Sequence, residues 1–256
     1  MTKAIFFDID GTLLSYKTHK VLPGTQQALA QLRQKGVCIF ISSGRPMVLI
    51  PPMPLPFDGY ITVNGGYCFA GDDIIVSCPI NHDDSRRWLD YATAKGITTM
   101  CFTEKEMFIN RIDDVARSLQ VQLGFEMPPV KPIQEFVGKE VYQFIAIQPA
   151  DQDAETLRQI PGCRMPRWHP LFSDIIPCNI SKAVGIKSML DHFGISVDDT
   201  MAFGDGANDI EMLQLAKTGI AMGNASDIVK AHADYVTDDA ESEGIYNALK
   251  HFGIID

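Results

Sequence analysis

The sequence predicts an α/β protein built on a doubly wound, Rossmann-like parallel sheet, with a second α/β domain inserted into it. Three observations lead to this prediction. Short apolar runs rich in β-branched residues alternate with amphipathic helical segments at both ends of the chain. Polar clusters follow several of these runs directly, as ligand-binding residues do at the carboxyl ends of parallel strands. Between the two alternating stretches, about a hundred residues have their own helices and strands.

The chain opens with a strand, a helix and a second strand. Residues 5–7 begin an apolar run typical of a buried strand, which ends in the carboxylates of Asp8 and Asp10. Residues 23–35 have helical spacing, with Pro23 in the first turn and Gly36 as the stop. Residues 37–41 are again a continuous β-branched and aromatic run. This order predicts a strand-helix-strand unit with two parallel strands.

A proline-rich crossover and a hairpin follow. Residues 46–57 contain five prolines, which exclude a full helix there. Residues 60–63 predict a third strand. Two extended runs within residues 67–80 flank Gly71, which predicts a hairpin.

The core domain is expected at residues 1–81 and 180–256, and the inserted domain at residues 82–179. The insertion is predicted to hold, in order, a helix at 83–95, strands at 97–103 and 107–110, a helix at 113–122, a strand at 141–148, a helix at 151–159 capped by Asp151, and strands at 163–168 and 172–178. The core then resumes with a helix at 181–193, a strand at 200–203, a helix at 208–217, strands at 219–222 and 235–237 flanking a helix at 225–231, and a helix at 244–252.

Composition places the chain among folded globular proteins. Of its 256 residues, 46% are hydrophobic and 21% are charged. The formal net charge of -10 argues against nucleic acid or an anionic membrane surface as the main partner, because both need clustered Lys and Arg. A small anionic substrate remains compatible, since it needs only a few local cations or a metal.

Cysteine usage and the start of the chain predict a cytoplasmic protein. The six cysteines contain no CxxC pair and resemble buried free thiols. The first residues pass directly into a strand, which leaves no room for a signal peptide, and no apolar stretch approaches the roughly 18 residues of a membrane span. We expect a monomer or homodimer with a small-molecule partner, without nucleic acid or membrane.

Two carboxylates end the first predicted strand. Asp8 and Asp10 are two residues apart and are followed by Gly11 and Thr12. Residues two apart share a face of a strand, and the glycine lets the chain turn so that the carboxylates take different distances from one ligand. Two carboxylates this close repel each other, so a cation or a proton between them would stabilise the pair. These residues alone are also compatible with an ordinary Asp-Gly turn.

A second acidic cluster, Gly-Asp-Gly-Ala-Asn-Asp at residues 204–209, follows the strand predicted at 200–203. Asp205 is expected to project from that strand end toward Asp8. Asp209 lies about one helical turn further on and would hold a cation's water shell or orient a neighbour rather than bind directly. The spacing predicts a metal site at this edge of the sheet.

Two further polar positions belong to the same edge. Ser43 and Gly44 follow the second strand, where a hydroxyl and exposed backbone amides hold phosphate oxygens. Helix capping is the alternative role of Ser42 and Ser43. Lys182 begins the helix at which the chain re-enters the sheet. A cation there opposes the helix dipole, so a partner such as phosphate or a buried aspartate explains it better than solvent does.

In chain order, these motifs resemble the four signature motifs of the haloacid dehalogenase (HAD) superfamily of phosphatases. The residues that carry the resemblance are Asp-Ile-Asp-Gly-Thr at 8–12, Ser43, Lys182 and residues 204–209. The match spans the whole predicted core. The insertion, preceded by Thr-Val-Asn-Gly-Gly at residues 62–66, looks like the large α/β cap of the Cof-type branch, subfamily IIB.

The resemblance implies a Mg²⁺-dependent phosphatase acting on a small phosphorylated metabolite, with a sugar phosphate as the expected substrate. Asp8 would attack phosphorus and form an aspartyl-phosphate, while Asp10 would act as acid and base. Mg²⁺ would be held by Asp8, the backbone carbonyl of Asp10 and Asp205, with Asp209 in support. Lys182 would stabilise the charge of the transition state. The phosphoryl-binding candidates are Ser43, Gly44, Arg45, Lys182 and Asn208.

Substrate-facing residues outside these motifs are harder to choose. The candidates are Arg45 in the core, and Arg111, Arg164, Arg167, Trp168 and His169 in the insertion, although each alone is more often a surface or packing residue. The loop Trp168-His169-Pro170 is our preferred specificity loop because it precedes the return to the core. Many relatives have threonine where Ser43 stands, and the neighbouring Ser42 leaves open which serine contacts phosphate.

Two other functions are compatible with the motifs. A phosphomutase of the same superfamily would return the phosphoryl group to a second hydroxyl instead of water. A phosphoacceptor module would also cluster aspartates around Mg²⁺, but it needs neither an inserted domain nor an acid/base beside the nucleophile.

Overall fold

The computed structural model describes residues 2–123 and 126–256, without the side chain of residue 123. The chain divides into two compact units. The first unit comprises Met1–Arg45, Pro51–Ser77 and Ser181–Asp256, and the second comprises Pro46–Ile50 and Cys78–Ile180. Within the described ranges, no helix combines the length and the apolar character that a membrane crossing requires.

The secondary structure alternates along the chain. The strands are β1 (Ala4–Phe7), β2 (Cys38–Ser42), β3 (Gly59–Thr62), β4 (Tyr67–Ala70), β5 (Asp73–Ser77), β6 (Thr98–Phe102), β7 (Met107–Ile109), β8 (Gln143–Ile147), β9 (Cys163–Arg164), β10 (Ser173–Pro177), β11 (Thr200–Gly204), β12 (Thr218–Ala221) and β13 (Tyr235–Val236). The helices are α1 (Pro23–Gln34), α2 (His82–Lys95), α3 (Asp114–Leu123), α4 (Asp153–Gln159), α5 (Lys182–Phe193), α6 (Ile210–Leu215), α7 (Asp227–Lys230) and α8 (Gly244–His251).

An eight-stranded sheet forms the centre of the first unit, in the order β13-β12-β11-β1-β2-β3-β4-β5. From β13 to β3, neighbouring strands run parallel. The hairpin of β4 and β5 continues the sheet antiparallel. The predicted α/β fold is therefore confirmed, and the sheet is mixed because the hairpin joins its edge.

Helices cover both faces of this sheet. α5, α6 and α7 pack on one face through a cluster that includes Phe6, Phe40, Ile186 and Met212. α1 contacts β2 and packs against α8. Since side chains alternate along a strand, Phe7 faces away from Phe6, and both are fully buried. The central strands of the sheet are thus buried on both sides, as continuous apolar runs predict.

The residues that cap helix α5 determine where the helix begins, and with it the position of Lys182. The Ser181 side chain precedes the helix and accepts a hydrogen bond from the Val184 N–H at 3.3 Å. Gly194 ends the helix in a left-handed conformation with φ 63°. Lys182 is therefore the first helical residue, as the sequence predicted.

The second unit is built on a five-stranded antiparallel sheet in the order β7-β6-β8-β10-β9. On one face, Trp88 and Leu89 of α2 pack against Phe144 and Ile175. On the other face, Ala116 and Leu119 of α3 belong to a cluster with residues of β6 and β7. Each sheet face therefore has its own apolar cluster.

Several details of the second unit differ from the sequence prediction. Asp151 does not cap a helix: it lies inside the 3₁₀ turn Ala150–Gln152, and α4 begins after it without a side-chain cap. The strand predicted at 163–168 pairs only as Cys163–Arg164. The thiols also differ, because Cys178 is exposed although we expected buried cysteines.

Two predicted core helices are shorter than expected. The segment predicted as a helix at 208–217 starts with the 3₁₀ turn Ala207–Asp209 and continues as α6. The Asp209 carboxylate accepts the N–H groups of Asp205 and Gly206, which holds the turn tightly around it. The helix predicted at 225–231 is confined to α7.

Candidate active site

The carboxyl ends of β1 and β11 bring three aspartates together. Asp8 follows β1 and Asp205 follows β11, and these strands are adjacent and parallel. One carboxylate oxygen each from Asp8, Asp205 and Asp209 lies within 4.8 Å of the other two. The three aspartates that the sequence assigned to one edge of the sheet therefore form one cluster.

Lys182 is the cation of this cluster. Its side chain is fully buried, and its Nζ lies 2.6 Å from Asp8 Oδ1 and also contacts Asp209 Oδ1. Burial alone would lower the pKa of Lys182, but the charges of Asp209 and Asp8 outweigh burial and raise it. Lys182 is thus a permanently charged ammonium held between two carboxylates.

Both carboxylate oxygens of Asp209 are held by contacts with the protein. Its Oδ1 contacts Lys182, and its Oδ2 accepts the N–H groups of Asp205 at 2.9 Å and of Gly206 at 2.8 Å. A buried carboxylate with this many charge-assisted bonds is fixed in position. It orients both Lys182 and the backbone that carries Asp205, in line with the expectation that Asp209 orients its neighbours rather than binding a cation directly.

The cluster carries excess negative charge. Three carboxylates face one ammonium, which leaves two negative charges in a largely buried space. Burial raises the pKa of Asp8 well above its ordinary value, while Lys182 lowers it and Asp209 and Asp205 raise it further. Burial and the Asp209 charge likewise raise the pKa of Asp205 to about 6. Burial is the main cause of both upward pKa shifts, and the charges of the neighbouring carboxylates add to it.

A divalent cation fits this arrangement. The donors are all carboxylate oxygens, which suit hard cations such as Mg²⁺ rather than softer metals. A charge of +2 would balance the excess and reverse the pKa shifts of Asp8 and Asp205. The donor set and the charge both support an oxygen-ligated divalent metal at this place.

Asp10 and Arg45 form a separate ion pair beside the cluster. Arg45 Nε donates to Asp10 Oδ2 at 2.8 Å, and Nη2 donates to Oδ1 at 2.7 Å. This two-point contact fixes the plane of the carboxylate, whose side chain is 45% exposed. The sequence placed Arg45 among the phosphoryl-binding candidates, whereas its guanidinium holds Asp10.

Ser43 and Gly44 lie at the end of β2 as predicted. Ser43 Oγ accepts the Arg45 N–H at 3.1 Å, so this hydroxyl shapes the turn that carries Arg45. Ser42 Oγ is also buried and has no hydrogen-bond partner among the described residues. Both serines are fully buried. Of the two hydroxyls, that of Ser43 forms the hydrogen bond within the turn. Asn208 Nδ2 donates to Asn64 Oδ1 at 2.9 Å.

Residues without an assigned role in the sequence also surround Asp205. Thr12 Oγ1 donates to Oδ1 at 3.2 Å, while the Tyr16 hydroxyl at 3.1 Å and Asn224 Nδ2 at 3.1 Å contact Oδ2. Tyr16 also contacts the backbone carbonyl of Asp10 at 3.2 Å. Asn224 follows β12 at the same sheet edge, and a polar residue just after a predicted strand is a signal by which the sequence could have identified it as a site residue. Tyr16 lies in an irregular loop and gave no such signal.

Gly11 is required at the tip of this cluster. Its φ is 77°, and a Cβ there would lie 2.3 Å from Asp205 Oδ2 and from the Tyr16 ring. Only glycine combines that backbone conformation with so close an approach. The glycine predicted as a turn residue thus allows Asp205 to reach the loop after β1.

Two of the arginines suggested for the second unit are used in structural contacts. Arg111 donates to Thr98 Oγ1 at 2.7 Å and to the Gly96 carbonyl. Arg167 donates to both carboxylate oxygens of Asp153 and to the carbonyls of His169 and Pro170. Arg167 therefore holds the Trp168-His169-Pro170 loop in shape rather than extending from it.

Of the remaining candidates, Trp168 contacts a buried carboxylate. Trp168 is 64% exposed, and its indole N–H donates to Asp174 Oδ2 at 3.2 Å. Asp174 Oδ1, Gln143 Oε1 and Arg164 Nε are buried without a hydrogen-bond partner in the described residues. His169 stacks on Phe172 with ring centroids 5.1 Å apart. The loop predicted to set specificity thus lies next to unsatisfied buried polar groups.

Asp174 predicts a pH-dependent stability. Burial raises its pKa to about 6, above the ordinary value of 3.8, so ionising it in the folded protein is penalised at high pH. We expect Asp174→Asn to increase the unfolding free energy at pH 8 by up to about 3 kcal/mol. The gain should vanish below about pH 3, where Asp174 is protonated in both states. Urea unfolding at several pH values measures this, and a pH-independent difference would contradict it. Asp151→Asn, at an exposed position, is the control.

Comparison with known proteins is consistent with this geometry. A family model described as haloacid dehalogenase-like hydrolase matches residues 5–249. The Bacillus subtilis (strain 168) protein named "Putative phosphatase YkrA" is 32% identical over 259 residues, which cover 99% of each chain.

Two solved structures extend the likeness to the whole fold. The HAD subclass IIB sugar phosphatase BT4131 has a TM-score of 0.89 and 38% identity, covering 99% of this chain and 100% of that one. BT1666 from Bacteroides thetaiotaomicron, described among phosphatases of the haloalkanoate (HAD) enzyme superfamily, has a TM-score of 0.92 and 36% identity, covering 100% of this chain and 96% of that one. The chain therefore belongs to the haloacid dehalogenase-like hydrolases and is a phosphatase of their subclass IIB.

Proposed function

We propose that this phosphatase is Mg²⁺-dependent and hydrolyses a small phosphorylated metabolite, a sugar phosphate, through an aspartyl-phosphate on Asp8. The observation that carries the proposal is the Asp8–Lys182–Asp209 ion-pair chain beside Asp205. The contact with the buried lysine fixes the orientation of the buried Asp8 carboxylate. The position of Asp8 at a strand end suits contact with a ligand.

Asp8 is the nucleophile in this proposal. Lys182 holds Oδ1, which leaves Oδ2 to attack phosphorus opposite the leaving oxygen. A bond forms between Asp8 and phosphorus as the bond to the leaving oxygen breaks. Lys182 then neutralises charge on the phosphoryl oxygens as well as on Asp8.

Asp10 moves the protons. It gives a proton to the leaving oxygen in the first step and removes one from water in the second, when that water attacks phosphorus and releases phosphate from Asp8. The two-point contact with Arg45 fixes the plane of the ionised Asp10 carboxylate. Asp10 takes up the proton for the first step from solvent, to which its side chain is partly exposed. Arg45 is thus a positioning residue here.

The metal ligands in this proposal are Asp8, the Asp10 backbone carbonyl and Asp205, with Asp209 acting through its bonds to the Asp205 backbone. When bound, Mg²⁺ supplies the positive charge that offsets the excess carboxylate charge and the phosphoryl charge. Ser43, Gly44 and Asn208 at the neighbouring turns are the proposed donors to phosphoryl oxygens.

Removing the metal tests the proposal. We expect EDTA to lower phosphate release from p-nitrophenyl phosphate by more than about 100-fold, and Mg²⁺ to restore it. Ca²⁺ should not restore it, because Ca²⁺ takes more ligands at longer distances. Mg²⁺ should also raise the melting temperature, since it binds only the folded protein. Full activity in EDTA would show that the cluster works without a metal.

The substrate class rests on resemblance and on the name of BT4131 as a sugar phosphatase. A screen of sugar phosphates, nucleotides and cofactor phosphates, with released phosphate as the readout, tests it. A flat profile would contradict the sugar preference. Product analysis separates hydrolysis from a phosphomutase reaction, in which the phosphoryl group appears on a second hydroxyl.

A cytoplasmic location is part of the proposal. All six cysteines are free thiols, as a reducing compartment favours. The oligomeric state, monomer or homodimer, stays a prediction that size-exclusion chromatography with light scattering would test.

A further inference from the structure

The turn after β3 has an unusual backbone. Val63, Asn64 and Gly65 have φ values of 50°, 53° and 91° in succession. Asparagine and glycine adopt such conformations at little cost, but a β-branched residue does so rarely. Strain of this kind is kept where the surrounding structure holds a residue in place, often at a functional site.

Backbone hydrogen bonds attach this turn to the segment after β2. The Val63 N–H donates to the Arg45 carbonyl at 3.0 Å, and the Asn64 N–H donates to the Ser43 carbonyl at 3.0 Å. Ser43 and Arg45 flank Gly44, so the turn is fixed beside the residues proposed to receive phosphate. Asn64 therefore has a defined position relative to Gly44.

The Asn64 side chain faces the same place. Its Oδ1 accepts a hydrogen bond from Asn208 Nδ2 at 2.9 Å. Asn64 is only 6% exposed. Its Nδ2 is not among the fully buried side-chain atoms that lack a hydrogen-bond partner in the described residues, so this nitrogen still reaches solvent. An amide N–H that reaches solvent while the other end of its side chain is held by a hydrogen bond is placed to donate to a ligand.

Gly44 leaves space in front of the two amides. A Cβ on Gly44 would lie 3.3 Å from both Nδ2 and Oδ1 of Asn64 and 3.4 Å from Asn208 Nδ2. Oδ1 is already occupied by the hydrogen bond from Asn208. Amide N–H groups from two side chains thus converge on a position that only the absence of a side chain keeps open. Convergent neutral donors at a strand end suit an oxyanion.

We propose that Asn64 is a phosphoryl-binding residue, with its Nδ2 donating to a phosphoryl oxygen over Gly44 and its Oδ1 orienting the Asn208 amide. This role rests on the proposed function and adds to it a residue from the turn after β3. The strained turn is then the means by which the amide reaches the site. Both amides act as one unit, because each fixes the direction of the other.

Asn64→Gly tests the role without disturbing the turn. Glycine adopts φ 53° without strain, so the backbone is kept while the amide is lost. We expect kcat for p-nitrophenyl phosphate to fall by about 100-fold, as for the loss of one oxyanion donor. Affinity for inorganic phosphate, measured by calorimetry with Mg²⁺ present, should fall by about tenfold.

Asn64→Asp is the second variant. Aspartate keeps the size and tolerates the left-handed conformation, but its carboxylate repels phosphate, so inorganic phosphate should bind still more weakly than to Asn64→Gly. The double variant Asn64→Gly, Asn208→Ala should lose little more than the single variants if the amides act together.

The outcomes separate two failures. If the unaltered enzyme neither binds inorganic phosphate nor releases it, the proposed function is wrong. If the unaltered enzyme does both, and Asn64→Gly and Asn64→Asp remain within about twofold of it in kcat and phosphate affinity, Asn64 serves only the turn and this inference is overturned.

Discussion

Asp8→Asn should abolish phosphate release while leaving the protein folded. The variant keeps the shape of the side chain but cannot form an aspartyl-phosphate, so kcat should fall by at least about 10⁴-fold, as when a nucleophile is removed. Lys182 keeps its contact with Asp209, and the burial that raises the pKa of Asp8 shows that its ionised form is penalised. The melting temperature should therefore stay the same or rise.

The pH dependence of that stability has a definite sign. A carboxylate whose folded pKa lies above its unfolded value weakens the fold as pH rises through the folded pKa. The asparagine has no such penalty, so the stability advantage of Asp8→Asn should grow from acid to neutral pH. Thermal unfolding across this range measures it. Asp227→Asn, on an exposed turn of α7, is the matched control and should change neither activity nor stability.

Substantial turnover by Asp8→Asn would rule out the covalent route. A direct check is to quench the enzyme during turnover of a labelled phosphomonoester. Label should remain on the unaltered protein and be absent from the variant. Label on both proteins would assign the phosphoryl acceptor to another residue.

The sequence identified the residues that the fold itself brings together. Asp8 and Asp205 follow two adjacent parallel strands, and Lys182 begins a helix that packs on the same sheet. The carboxyl ends of parallel strands meet at one edge whatever the details of the loops. Their convergence therefore needed only the order of the elements. The resemblance to the HAD motifs supplied the chemical roles of these three residues, whereas their convergence at one edge follows from the order of the elements.

Contacts made by loops were not predictable in the same way. The pairing of Arg45 with Asp10 depends on side-chain conformations after two strands, and Tyr16 reaches Asp205 from an irregular segment. Asn64 stood next to two glycines, a sign of unusual backbone, yet its direction depends on the left-handed turn. Such contacts follow from φ angles and rotamers that no periodicity encodes.

The second unit shows the same limit. Arg111, Arg164 and Arg167 are equivalent in a sequence, because each is a long cation near a strand. Arg164 lies in the short strand β9 and donates through Nη2 to the Ile180 carbonyl, whereas Arg167 lies beyond the end of that strand and binds Asp153. Where a strand stops pairing depends on its partner strand rather than on local composition alone.

Lys182→Met should have the largest effect on stability. Methionine is similar in length but uncharged, so Asp8 and Asp209 would remain buried without their shared cation. Removing one partner of a buried ion pair costs about 3–5 kcal/mol. For a chain of this size, that corresponds to a fall of roughly 10 °C in melting temperature. Phosphate release should fall with it, since the cation that faces the phosphoryl group is lost.

The loss should be smaller at low pH, and this separates a charge effect from poor packing. Lys182 lowers the pKa of Asp8, so the pKa rises further in Lys182→Met, and protonating Asp8 relieves the buried charge as pH falls through that higher value. Mg²⁺ should also recover part of the stability, because it replaces positive charge beside Asp8 and Asp205. Lys187→Met, on the exposed face of α5, is the matched control and should shift the unfolding free energy by less than about 0.5 kcal/mol. A stability loss that is the same at every pH would mean that Lys182 acts through packing. The balance of one ammonium against three carboxylates would then not be what organises this site.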